Sequence, residues 1–128
     1  MRTNKNVRGI VKKDGSVLLI HRFKSGDEYW VVPGGGVEEG ETLEEALYRE
    51  MKEETNLDVK SFTCLKSIET ENGEQYIYQC EMSDGEIKLQ GPELESMDEN
   101  NQYILTWLPT DDVLKLKTLY PDCVKEYL

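Results

Sequence analysis

The sequence predicts an α/β fold, a β-sheet with helices on both sides. Three observations carry that reading: short apolar, β-rich segments separated by Asp-Gly and Asn-Gly turns, one long amphipathic helical stretch set between strands, and two short helical patterns near the C-terminus. Elements that are apolar on one side bury that side most economically in packed layers. With 128 residues, 38% of them hydrophobic, a single domain over residues 1–128 is expected.

Taken in order, Val7 to Val11 and Val17 to Arg22 read as strands around Lys12-Lys13-Asp14-Gly15-Ser16, where Asp-Gly signals a hairpin. Phe23 to Glu28 reads as a loop and Tyr29 to Val32 as a strand, followed by a turn at Pro33-Gly34-Gly35-Gly36. The long helix is expected over Thr42 to Thr55. Thr42 is its N-cap, with Glu45 completing a capping box, and Asn56 ends it in the left-handed conformation. Strands follow at Val59 to Thr70 and Glu74 to Met82, turning at Glu71-Asn72-Gly73, and a short one at Glu86 to Leu89. Gly91 to Asn101 reads as an acidic loop and Gln102 to Leu108 as a strand. A helix over Thr110 to Leu116, capped by Thr110 or Asp111, and a second beginning at Pro121 close the chain.

The long helix carries the functional signal. At about 100° per residue, Leu43, Ala46, Leu47 and Leu57 share one sector, and Glu50, Glu53 and Glu54 project into that sector or its edges. Glu44, Glu45, Tyr48 and Lys52 lie opposite, as solvated positions should. Inward carboxylates at this spacing repel one another. In the last turns they also face the negative end of the helix dipole, and partial burial raises both costs. A hard cation would offset them, because Mg²⁺ prefers carboxylate and water oxygens and binds together with substrate phosphates. The glycine-dense stretch before the helix lets main chain approach a ligand closely.

Composition narrows the partners. The net charge is −11, from 15 basic and 26 acidic residues, and eight of the acids lie between Glu38 and Glu54. That balance argues against nucleic acid polymers and anionic membranes as partners. Cations would supply the positive charge that a phosphate-bearing substrate needs there. Cys64, Cys80 and Cys123 are odd in number and lack a CxxC spacing, so a reduced, cytoplasmic protein is expected. No apolar run reaches the roughly 18 residues needed to span a bilayer, and the first residues show no signal-peptide core. His21 reads as a strand residue rather than a base, having no nucleophile partner.

Gly35, five residues, Glu41, seven residues, Arg49-Glu50-Met51, one residue, Glu53-Glu54, one residue and Asn56-Leu57 together resemble the Nudix box, GX5EX7REUXEEXGU. One position departs, Asn56 standing where the box has glycine; both tolerate the left-handed conformation. The resemblance covers 23 of the 128 residues. It implies a mixed sheet in an α/β/α sandwich with the box helix lining a cleft, and hydrolysis of a nucleoside diphosphate linked to another group.

Carried over residue by residue, the resemblance makes Glu50, Glu53 and Glu54 ligands of Mg²⁺ or Mn²⁺, with the carbonyl of Gly34 or Gly35 a further one. Arg49 would orient Glu50 or Glu41, Glu41 acting in support, and Glu53 or Glu54 is the favoured general base. The acidic loop offers the alternatives Glu93, Glu95, Asp98 and Glu99. Arg22 stands where MutT-like members contact phosphate; Asn100, Asn101 and Tyr103 are placed to read and stack a base, and Trp30 and Trp107 read as core or wall residues. A chain with little beyond the box resembles the nucleoside triphosphate group, oxidised dGTP included. ADP-ribose and dinucleoside polyphosphates are the alternative substrates, and a silent nucleotide sensor or a divalent-ion buffer the alternative functions. Monomer and homodimer remain open.

Overall fold

The computed structural model describes residues 2–90 and 92–128; the side chains of Arg2, Pro92 and Glu93 lie outside the described set, as does Gly91. Strands β1 (Arg2–Ile10), β2 (Lys12–Lys13), β3 (Ser16–Lys24), β4 (Asp27–Val31) and β5 (Gly34–Glu38) precede helix α1 (Leu43–Thr55). Strands β6 (Val59–Thr70) and β7 (Gly73–Met82), a one-turn helix α2 (Pro92–Glu95), strand β8 (Asn101–Pro109), helix α3 (Thr110–Leu114), strand β9 (Leu119–Tyr120) and a terminal 3-10 helix (Asp122–Tyr127) follow.

The expected α/β sandwich of mixed strands forms, and its strands divide between two sheets. One has the order β5-β1-β7-β6; in the other β3 pairs with β2 and β4 along one side and with β8 along the other, and β9 adds to β4. Each is mixed: β1 runs parallel to β7 and β4 parallel to β9, while the other pairs are antiparallel. Period-two alternation sends Leu18 and Tyr78 into one core with Ala46, Leu47 and Met51 of α1. Val17, Leu19 and Ile77 go into a second core with Val113, Leu119 and Val124. Met51 packs where a side chain on Gly9 would stand, so α1 lies close on β1.

The capping box at Thr42 and Glu45 is present, with both reciprocal bonds made, and Asn56 ends α1 at φ 71°. Asp14 and Gly15 both take positive φ, as a type I′ hairpin requires. Several expectations change, among them the acidic loop Gly91 to Asn101, which carries the one-turn helix α2 at Pro92–Glu95. Phe23 to Glu28 is not a loop but a second tight hairpin, turning at Ser25 and Gly26, both at positive φ; serine is a weak signal for that conformation. The glycine run is a strand rather than a turn, because β1 offers it an edge and pairs Val7 with Gly35 and Arg8 with Gly34. Tertiary pairing overrides the poor strand propensity of glycine.

Glu86 to Leu89 forms no strand; its main chain donates to the end of α1 instead, Lys88 N to Thr55 O and Gln90 N to Glu53 O. The expected helix at Thr110 to Leu116 stops at Leu114, and Pro109, not Thr110 or Asp111, occupies its N-cap. The Thr110 hydroxyl instead donates to the Gly15 carbonyl. Pro121 stands before the terminal helix, which is of the 3-10 type.

Candidate active site

Helix α1 and strand β5 form one wall of a cleft of about 540 Å³, and β1, β3, β4 and β8 contribute the rest. Gly34, Gly35, Gly36, Arg49, Glu50, Glu53, Glu54, Arg22 and Tyr103 all line it. Glu50 and Glu54 are buried, at 7% and 4% exposure, and Glu53 is partly open. Carboxylates are rarely buried; on the opposite face of α1, Glu44, Glu45, Tyr48 and Lys52 are exposed as expected.

Arg49 organises the acidic wall. Its Nε and Nη2 donate to the two oxygens of Glu41, at 2.7 and 2.9 Å, a bidentate fork. Nη1 donates to Glu50 Oε1 at 2.9 Å and stands 3.6 Å from Glu53 Oε2, while Nη2 also reaches the Gly36 carbonyl at 3.0 Å. The sequence left open whether Arg49 serves Glu50 or Glu41; it serves both. The Arg49 hydrogen bond holds the Glu41 carboxyl below its ordinary range, against a smaller opposing effect of burial. In return Glu41 raises the affinity of Arg49 for its proton. Glu41 Oε1 also accepts from the Glu38 amide, which ties the helix entry to β5.

The donor set suits a hard divalent cation: three carboxylates on adjacent turns, with only oxygens offered. A side chain on Gly35 would collide with the Glu50 carboxyl, so the glycine leaves a cradle that a Cβ would fill. Among the described residues no three acidic, His or Cys side chains stand preformed at ligating distances. Arg49 Nη1 lies between Glu50 and Glu53 and sets their present spacing.

Antiparallel pairing of β3 with β8 places Arg22 opposite Tyr103. Arg22 is buried, stacks 3.6 Å over the Tyr103 ring, and donates from Nη1 to Asn101 Oδ1 and Gln102 O, each at 2.9 Å. Three of the four residues singled out for substrate, Arg22, Asn101 and Tyr103, therefore meet, with Asn101 spent on holding Arg22 and with only Arg22 and Tyr103 of the four lining the cleft. Glu95, Asp98 and Glu99 are exposed and apart from the cleft lining. Asp98 Oδ1 accepts from the Asn100 amide, a turn-forming contact, and the Glu93 side chain lies outside the described residues. His21 stacks on Trp30 at 3.8 Å, in keeping with a strand residue.

Two charged lining residues escaped the sequence reading of the site, Arg8 and Glu38. Arg8 donates from Nε to Gln75 Oε1 and from Nη1 to the Val32 carbonyl, both at 3.1 Å. A charged residue inside the otherwise apolar run Val7 to Val11 was the available signal.

A family model described as NUDIX domain matches residues 3–126. The chain belongs to the Nudix family. An ADP-ribose pyrophosphatase from Methanocaldococcus jannaschii is 53% identical to this Nudix chain over 55 residues, 40% of the chain and 31% of that protein. An RNA pyrophosphohydrolase from Actinobacillus pleuropneumoniae is 31% identical over 110 residues, 85% of the chain and 50% of that protein. The chain thus spans between 31% and 50% of the length of these curated relatives. The crystal structure of a MutT NUDIX hydrolase from Burkholderia pseudomallei superposes with a TM-score of 0.66 at 26% identity, covering 84% of this chain and 83% of that one. Among the described residues no helix is long and apolar enough to cross a membrane.

Proposed function

We propose that this Nudix domain is a Mg²⁺-dependent pyrophosphohydrolase that cleaves the phosphoric anhydride bond of a nucleoside diphosphate linked to another group. The observation that carries the reading is the carboxylate set of buried Glu50 and Glu54 and half-buried Glu53, turned into one cleft with Arg22 and Arg49. Glu50 and Glu54, with Glu53 and a carbonyl of Gly34 or Gly35, would hold the ion. When bound, Mg²⁺ neutralises phosphate charge and makes a bound water more acidic. Glu53, the more open of the two candidate bases, would take the proton of the attacking water through a carboxylate oxygen left free of the ion, with Glu54 the alternative. Arg49 keeps Glu50 and Glu41 in place, and Arg22, which lines the cleft, would contact phosphate through its guanidinium. Mn²⁺ satisfies the same oxygen ligands.

A cleft of about 540 Å³ is of the size that takes a nucleotide, and the net charge of −11 opposes a polymer. A nucleoside triphosphate, oxidised dGTP included, is the substrate proposed. ADP-ribose is the second reading, favoured by the 53% identity to the archaeal ADP-ribose pyrophosphatase. All box glutamates are present, which supports an enzyme over a silent sensor. The test is a panel of nucleoside triphosphates, ADP-ribose and dinucleoside polyphosphates with Mg²⁺, read as phosphate or pyrophosphate release. Turnover of one class is expected, and Glu53→Gln should lose at least about 10²-fold of it, the scale of a general base. Equal turnover in both proteins would remove the mechanism.

A further inference from the structure

The last turn of α1 leaves carbonyls without partners inside the helix, as every helix end does. Here two of them, Glu53 O and Thr55 O, accept from Gln90 N at 2.7 Å and Lys88 N at 2.9 Å, so the irregular segment after β7 lies along the helix end like an added strand. The segment is anchored by Leu89, which is buried, and by Ile87, which packs on the core beside α1. One of the carbonyls it binds belongs to Glu53 itself.

Asn56 holds both ends of that segment. Its Nδ2 donates to the Glu86 carbonyl at 3.0 Å, and its Oδ1 accepts from Gln90 Nε2. The box places glycine at this position, and glycine would serve equally well at φ 71°. It would bring neither side-chain bond. The departure from the box thus has a chemical content that conformation alone does not explain.

We infer that Asn56 is a positioning residue, a side-chain clamp that holds residues 86–90 on the end of α1 and thereby sets the turn carrying Glu53 and Glu54. The inference rests on the metal reading of the cleft. It gives the clamp an outer-shell role toward the ion: losing it lets the Glu53 peptide and its carboxylate wander from the shared ligand geometry.

The test compares wild type, Asn56→Gly, Gln90→Leu and the double variant. Mn²⁺ binding is measured from the free-ion electron paramagnetic resonance signal without nucleotide, and amide exchange at Lys88 and Gln90 by NMR. Glycine suits the backbone at 56, so the fold is retained. Each single variant should weaken Mn²⁺ binding by about tenfold, the lower end of what outer-shell partners contribute. The double variant should be no worse than Asn56→Gly, because one bond serves both residues, and exchange at Lys88 and Gln90 should accelerate. Wild-type Mn²⁺ affinity in Asn56→Gly overturns the inference even if stability falls, since a purely structural tie would move stability alone. Should wild type itself bind no Mn²⁺, the metal reading fails separately, and unchanged exchange in Asn56→Gly would then overturn the clamp.

Discussion

Arg49 shows how much a single side chain decides in this cleft. Its planar fork satisfies Glu41, Glu50 and the Gly36 carbonyl at once, a geometry that a lysine ammonium cannot reproduce. Arg49→Lys should therefore lower stability by about 2 kcal/mol, the scale of a lost charge-assisted bond, read by urea unfolding at pH 7. The pH dependence follows from Glu41, whose carboxyl is held below 4.5 by the Arg49 hydrogen bond. That contribution is fully present above pH 4.5 and is lost as pH falls through the lowered value in the folded protein. The gap between wild type and Arg49→Lys should accordingly close on acidification; a constant gap would mean that Arg49 acts through packing. Gly35 makes a second residue-scale case. A methyl group there meets the Glu50 carboxylate, so Gly35→Ala should weaken Mn²⁺ binding while leaving the circular dichroism spectrum unchanged.

At the scale of elements, α1 was the most legible part of the chain. Thr42, Glu45 and Asn56 sit at the termini that local chemistry assigns them, because capping depends on residues three or four positions apart. Thr42→Ala should cost about 1 kcal/mol, seen as a lower midpoint in thermal unfolding. Strand β5 was not legible. Three glycines carry no strand propensity, and the run becomes a strand only because β1, distant in sequence, presents an unpaired edge. The segment Glu86 to Leu89 was misread for the opposite reason: its β-like residues find their hydrogen bonds at a helix end. Arg22 repeats the lesson within the site. Its residue type was readable, but its burial and its stacking on Tyr103 come from the register of β3 on β8.

Across the whole molecule, two cores lie on either side of the β1 and β7 strands, and their depth is testable through the three thiols. Cys64 is exposed, Cys123 half-buried and Cys80 buried. Burial pushes the Cys80 thiol up to about 12 and raises that of Cys123 as well. At pH 8, a thiol reagent should label Cys64 rapidly and Cys80 only after unfolding, as peptide mapping would show. Because the Cys80 thiol titrates higher in the folded chain, its contribution to stability is complete below pH 9 and is lost between pH 9 and about 12.

By itself the sequence determined the box helix, its caps, the inward acids and the turn chemistry of the hairpin at Asp14-Gly15, since each depends on neighbours within a few residues. The tertiary structure decided what those acids face. The division of the strands into two sheets, the conversion of the glycine run into β5, the arrival of Arg8 and Arg22 in the cleft and the docking of residues 86–90 on α1 all depend on contacts between residues far apart in the chain. Such contacts are selected by backbone groups that must find partners once water is excluded, and no local pattern specifies which distant edge or helix end will supply them.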